Sequence, residues 1–108
     1  MKDDTWFVYV LRCGDDTIYT GIAKDVEARF KAHELGKGAR YTRGRGPLTL
    51  IARAKCGGHG EALRVELAFK RLAKSEKLAL AEKKRGLSAF AKRVGGARPP
   101  GRRSALVL

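Results

Sequence analysis

Residues 9 to 33 read YVLRCGDDTIYTGIAKDVEARFKAH, and the fold turns on how this stretch is parsed. WFVYVLRC at 6–13 and IYTGIA at 18–23 are rich in aromatic and β-branched residues. Such runs favour strands, and the intervening GDDT supplies turn residues, so the spacing predicts a β-hairpin. Asp25 is placed to cap a helix over VEARFKAHEL, with Gly36 and Gly38 positioned to end it. Within that helix Val26 and Phe30 stand four apart and should face the sheet, with Arg29 and His33 on the neighbouring stripe. Each piece thus carries a residue that packing does not require: Tyr9, Tyr19, Arg29 and His33.

Downstream, GKGARYTRGRGP reads as a Gly-rich basic loop and LTLIARAKC as a third strand. A second helix is expected from about Glu61 to Ala73, then a third over EKLALAEKKR capped by Ser75, with LSAFAKRV adding a short helix. His59, inside GGHGE, reads as a loop residue. The order ββαβαα describes an α+β fold, a small three-stranded sheet made of the hairpin and a third strand, flanked by helices. The domain is expected to span residues 5–85, and 86–108 to form a basic, partly disordered C-terminal extension punctuated by glycine and proline.

A chain of 108 residues, 44% of them hydrophobic, suffices for one core and is too short for two. Lys and Arg number 24 against 11 Asp and Glu, a net charge of +13 that points to an acidic or polyanionic partner. No apolar run is long enough for a membrane span, and the N-terminus lacks the pattern of a signal peptide, so a cytoplasmic location and no membrane partner are expected. Cys13 and Cys56 are isolated and read as reduced, semi-buried strand residues. The chain contains neither Asn nor Gln.

VYVL at 8–11, a seven-residue spacer, YTG at 19–21, Arg29, His33 and a Glu on a downstream helix together resemble the GIY-YIG nuclease family. The length and the GKGARYTRGRGPLTL segment resemble its small stand-alone, single-domain members of the UPF0213 type. The resemblance covers roughly residues 5–85. It implies a metal-dependent endonuclease that hydrolyses phosphodiester bonds in DNA, in repair or processing, with one Mg²⁺ or Mn²⁺ ion. Tyr19 would be the general base, with Tyr9 beside it orienting water or phosphate, and Arg29 would clamp the scissile phosphate. His33 would transfer a proton or orient the water. Glu66 would hold the metal.

Each position also has a plain reading. Glu66 lies on the helical arc between Ala62 and Leu63, near Phe69, and could simply pair with Lys70 one turn on. Tyr9 and Tyr19 could be ordinary strand tyrosines, Arg29 a solvated cation and His33 a surface or capping residue. Gly21, in a strand, would let backbone or phosphate approach closely.

Two departures from the family pattern stand out: Ile22 occupies a position where some members carry a lysine, with Lys24 two residues on, and no asparagine is present. These favour the alternative reading, a non-catalytic nucleic-acid-binding module with the same fold. For binding, Lys24, Lys37, Arg40, Arg43 and Arg45 are the candidate phosphate contacts, with DNA favoured over RNA. The acid-free stretch 35–60 and a second from Lys83 onward are expected to bracket the site. Tyr41 either stacks on an unpaired base or packs onto the domain.

Overall fold

The computed structural model describes residues 4–95. Two strands, β1 (Trp6–Arg12) and β2 (Ile18–Ala23), form the expected hairpin, followed by helix α1 (Val26–Glu34) and a single 3₁₀ turn, Arg40–Thr42. Strand β3 (Thr49–Gly57) and helices α2 (His59–Lys70), α3 (Lys74–Glu82) and α4 (Gly86–Gly95) complete the order. β1 is central and antiparallel to both neighbours, giving the order β2-β1-β3. The α+β fold expected from the sequence is the fold observed.

Strand alternation divides the interior in two. Val8 and Val10 point to one face, where they meet Val65 and Phe69 of α2 and Leu87, Phe90 and Ala91 of α4. Tyr9 and Leu11 point to the other, where they meet Ala23, Val26 and the partly buried Phe30 and Leu48. α1 and the basic loop therefore cover one side of the sheet, and α2 and α4 cover the other.

Local chemistry accounts for the boundaries. The Asp25 carboxylate accepts the Ala28 N–H at 3.1 Å, capping α1 as expected. Gly36, at φ +77, takes the left-handed conformation that ends α1. The hairpin turn is closed by Cys13 N–H to Thr17 O at 2.8 Å, with Asp16 at φ +69. Gly14 serves a close approach: a Cβ there would stand 2.3 Å from Gly46 O, so its bareness lets the basic loop lie backbone against backbone on the turn.

Three boundaries differ from expectation. α2 begins at His59, which is helical and not a loop residue, because the Glu61 side chain accepts the Gly58 N–H at 2.8 Å and so caps the start. α3 begins at Lys74, after Ala73: Glu76 accepts the Ala73 N–H at 3.0 Å, and Ser75 lies inside the first turn and not at the cap. Beyond residue 85, where the domain was expected to end, α4 is part of the packed unit. Its Phe90 ring meets Phe69 edge-on with centroids 5.7 Å apart. Burying such a ring contributes about 1.5–3 kcal/mol, which explains why this segment joins the core. The remainder of the expected extension, 96–108, lies outside the described residues.

Candidate active site

Four side chains from three elements meet beside the α1 face of the sheet. In the β1–β2 register Tyr9 sits opposite Gly21 and Leu11 opposite Tyr19, which places both tyrosines on the same face. A Cβ on Gly21 would stand 2.6 Å from Tyr9 Oη and 3.1 Å from Tyr19 Cε2, so Gly21 leaves room for the Tyr9 hydroxyl itself. This is a close approach of a side chain, not of backbone or phosphate. From α1, His33 Nε2 comes within 2.8 Å of Tyr9 Oη, and the His33 ring meets Tyr19 edge-on with centroids 5.2 Å apart. Arg29, one turn before His33, is exposed yet interacts through its side chain with the Tyr9 hydroxyl.

Tyr9 is only 1% exposed. Its pKa is raised to about 12, first by burial and then by the neighbouring Tyr19, with Arg29 pulling only partly the other way. Tyr9 is therefore a hydrogen-bond donor that keeps its proton at neutral pH. His33 is 2% exposed, and burial, followed by the Arg29 charge, lowers its pKa. The plain reading of His33 as a surface or capping residue is excluded by that burial.

The basic loop closes over the histidine. Thr42, 2% exposed, places Oγ1 at 2.9 Å from His33 Nδ1, and the Ala39 N–H reaches the same nitrogen at 3.3 Å. Gly38 permits this cover, since a Cβ there would stand 2.3 Å from Nδ1. Tyr41 packs onto the domain: it stacks on Tyr19 at 5.8 Å and 28°, and the Arg45 guanidinium sits 4.3 Å from its ring centroid. Arg45 in turn pairs with Asp15 in the hairpin turn. Sequence reasoning did not single out Thr42, because nothing local to GARYTRG distinguishes it; the cue is a buried histidine that needs a partner.

Glu66 stands apart from this cluster. Its helix packs on the opposite face of the sheet, and its side chain is 19% exposed, on the flank of α2 where the helical pattern placed it. Among the described residues its carboxylate pairs with Lys70, Nζ to Oε2 at 3.2 Å. No hydrogen bond or ion pair links Glu66 to Tyr9, Tyr19, Arg29 or His33 among the described residues. Nor do three His, Cys, Asp or Glu side chains cluster there to hold a metal by themselves.

The cations are divided as well. Lys37, Arg40 and Arg43 are exposed and form no ion pair among the described residues. Lys24 pairs with Asp4 at 3.1 Å, as Arg45 does with Asp15. The described part of the second acid-free stretch does not flank the tyrosines: Lys83, Lys84, Arg85 and Lys92 line grooves among β3, α3 and α4, on the far face. Both cysteines are free, Cys13 buried and Cys56 half-buried. No helix among the described residues is long and apolar enough to cross a membrane.

Paired tyrosines on a hairpin, with an arginine and a histidine one turn apart on the following helix, define a class. Residues 5–79 match the GIY-YIG catalytic domain, and the chain belongs to the GIY-YIG family, whose nucleases act on nucleic acids. Its relatives include a UPF0213 protein of Nitratidesulfovibrio vulgaris, 51% identical over 77 residues, covering 71% of this chain and 70% of that one. The UPF0213 protein YhbQ of Escherichia coli is 47% identical over 72 residues, covering 67% and 72%. Among solved structures, the solution NMR structure of EF2693 from E. faecalis is similar at TM-score 0.50 and 34% identity, covering 74% of this chain and 88% of that one.

Proposed function

We propose that the chain is a divalent-metal-dependent endonuclease that hydrolyses phosphodiester bonds in DNA, in the repair or processing of branched or damaged strands. The observation that carries this reading is the meeting of Tyr9, Tyr19, Arg29 and His33 at one place. Hydrolysis requires a base for the attacking water and positive charge on the non-bridging oxygens. Tyr19, less deeply buried than Tyr9, takes the proton of the water. Tyr9 stays protonated beside Tyr19 and helps to orient water or phosphate. Arg29 is exposed on the rim, where a planar, permanently charged fork suits a phosphate.

Glu66 fits a Mg²⁺ or Mn²⁺ ion that keeps most of its hydration, because a single half-sheltered carboxylate suffices for an ion reluctant to dehydrate. Held by Glu66, such an ion would supply positive charge to a phosphate bound beside it. Lys37, Arg40 and Arg43 have no competing acidic partner among the described residues and would hold the backbone of the nucleic acid. Lys24 and Arg45 would have to exchange an aspartate for a phosphate. A cytoplasmic setting accords with two unpaired cysteines.

A second reading is a nucleic-acid-binding module without catalysis. It is favoured by the Glu66–Lys70 pair, which already occupies the carboxylate. Cleavage of labelled single-stranded, duplex and branched DNA, and of RNA, with Mg²⁺, Mn²⁺ or EDTA, separates the two. Under the first reading cutting depends on metal and is abolished in Glu66→Ala, while affinity in metal-free buffer is unchanged or slightly higher. Salt-sensitive binding without cutting under any metal would establish the second.

A further inference from the structure

The buried histidine has two ring nitrogens and four neighbouring polar groups, and one proton arrangement satisfies them better than the other. Ala39 N–H can only donate, and it points at Nδ1. The Thr42 hydroxyl carries one proton and lies 2.9 Å from both Nδ1 and Ala39 O. If Nδ1 carried the ring proton, it would donate to Thr42, which would donate to Ala39 O. The Ala39 amide would then face a second N–H and have no acceptor. If Nδ1 is bare, its one lone pair is shared by the Thr42 hydroxyl at 2.9 Å and the Ala39 N–H at 3.3 Å. Ala39 O remains satisfied by the Thr42 backbone N–H at 3.1 Å. The second arrangement leaves neither the half-buried Ala39 amide nor the buried Thr42 hydroxyl without an acceptor, which favours it.

The ring proton then sits on Nε2 and is donated to Tyr9 Oη. Tyr9 must send its own proton elsewhere, and Tyr19, on the same face of the sheet with its ring centroid 6.3 Å away, is the neighbour placed to receive it. We propose that Thr42 is a positioning residue that, with the Ala39 amide, locks His33 in the Nε2–H tautomer, so that hydrogen bonds run one way from the loop through His33 and Tyr9 to Tyr19. The proposal rests on the nuclease reading for its purpose, since a chain of donors ending on Tyr19 stabilises the phenolate that would accept a proton from water. The raised pKa of Tyr9 accords with its place as a donor inside the chain. The charged and titratable groups that face His33 are Tyr9 from β1, Tyr19 from β2, Arg29 from α1 and Glu34, which lines the cavity behind the ring.

Long-range ¹H–¹⁵N spectra of His33, recorded from pH 5.5 to 8 on the free full-length chain, read the tautomer without any assay of activity. The expected result is a bare Nδ1 and a protonated Nε2 in the wild type. In Thr42→Val, where Nδ1 loses a donor to its lone pair, His33 should protonate at higher pH, and Thr42→Ser should restore wild-type titration. On a cleavable substrate, Thr42→Val should lower kcat at least tenfold with KM changed less than twofold, and should move the acid limb of the pH profile upward. A wild-type Nδ1–H tautomer, or a Thr42→Val titration equal to wild type, would overturn the proposal. Because the wild-type spectrum decides the tautomer, a poorly folding variant leaves the test intact. An inactive wild type showing the Nε2–H tautomer would remove the nuclease reading and leave the lock standing.

Discussion

Tyr9 Oη and His33 Nε2 lie 2.8 Å apart, twenty-four residues apart in sequence and almost wholly out of water. Removing one partner from such a pair strands the other. Tyr9→Phe keeps the ring and deletes the oxygen, so stability should fall by about 1–3 kcal/mol, measured by urea unfolding. Cleavage by the same variant should fall on the order of a hundredfold. Unchanged stability would mean that water replaces the hydroxyl.

Gly21→Ala tests the close approach. Its Cβ would stand 2.6 Å from Tyr9 Oη, a distance at which one of them must move. The rigid ring and the strand leave little slack, so a loss of about 1–3 kcal/mol is expected, together with loss of the protected His33 Nε2–H resonance. A far-UV circular dichroism spectrum equal to wild type would locate the damage at the hydroxyl and not in the sheet.

The pH dependence follows from His33. Its folded pKa is lowered from an ordinary value of 6.5 by burial first and by Arg29 second, so the fold favours the neutral ring. The unfolded chain therefore binds more protons just below the unfolded pKa. The stability contributed by neutral His33 is complete above that value and is lost as pH falls through it. Chemical denaturation at pH 7.5 and 5.5 should show a drop in wild type that His33→Gln reduces. An equal drop in both would assign the pH dependence to the carboxylates.

Phosphate contacts should show in the salt dependence of binding. Each of Lys37→Ala, Arg40→Ala and Arg43→Ala should lessen the slope of log K against log salt by roughly 0.9 on duplex DNA. Lys24→Ala should lessen it by a smaller amount, since Lys24 already pairs with Asp4. Identical slopes across the series would place the nucleic acid on another surface.

What the sequence reveals tracks how local each cause is. The hairpin, α1 and β3 follow from alternation, a turn and the Asp25 cap, all contained within a few residues. The start of α3 does not, because the cap is the Ala73 backbone reached by Glu76, and no Ser, Thr or Asp marks the spot. Helical spacing correctly puts Glu66 on the flank of α2, but it tells which residues face the core and not which side of the sheet the helix covers. The same blindness misplaced Lys83, Lys84, Arg85 and Lys92. The burial of His33 depends on Thr42 and Gly38, which arrive from a loop without periodicity. The pairing of Tyr9, Tyr19, Arg29 and His33 could be read from motif spacing; the cover over them could not.

Because β1 is central, β2 and β3 are the edges of the sheet among the described residues, each with a row of backbone groups able to template a strand from another molecule. Thr49, Arg53 and Lys55 are the exposed residues of β3. Two copies meeting edge to edge would bring these cations together on top of a net charge of +13 each, so aggregation is opposed by repulsion. Solubility is then at risk when that charge is neutralised, and the protein should precipitate most readily with a sub-saturating amount of polyanion, more so than in dilute buffer alone.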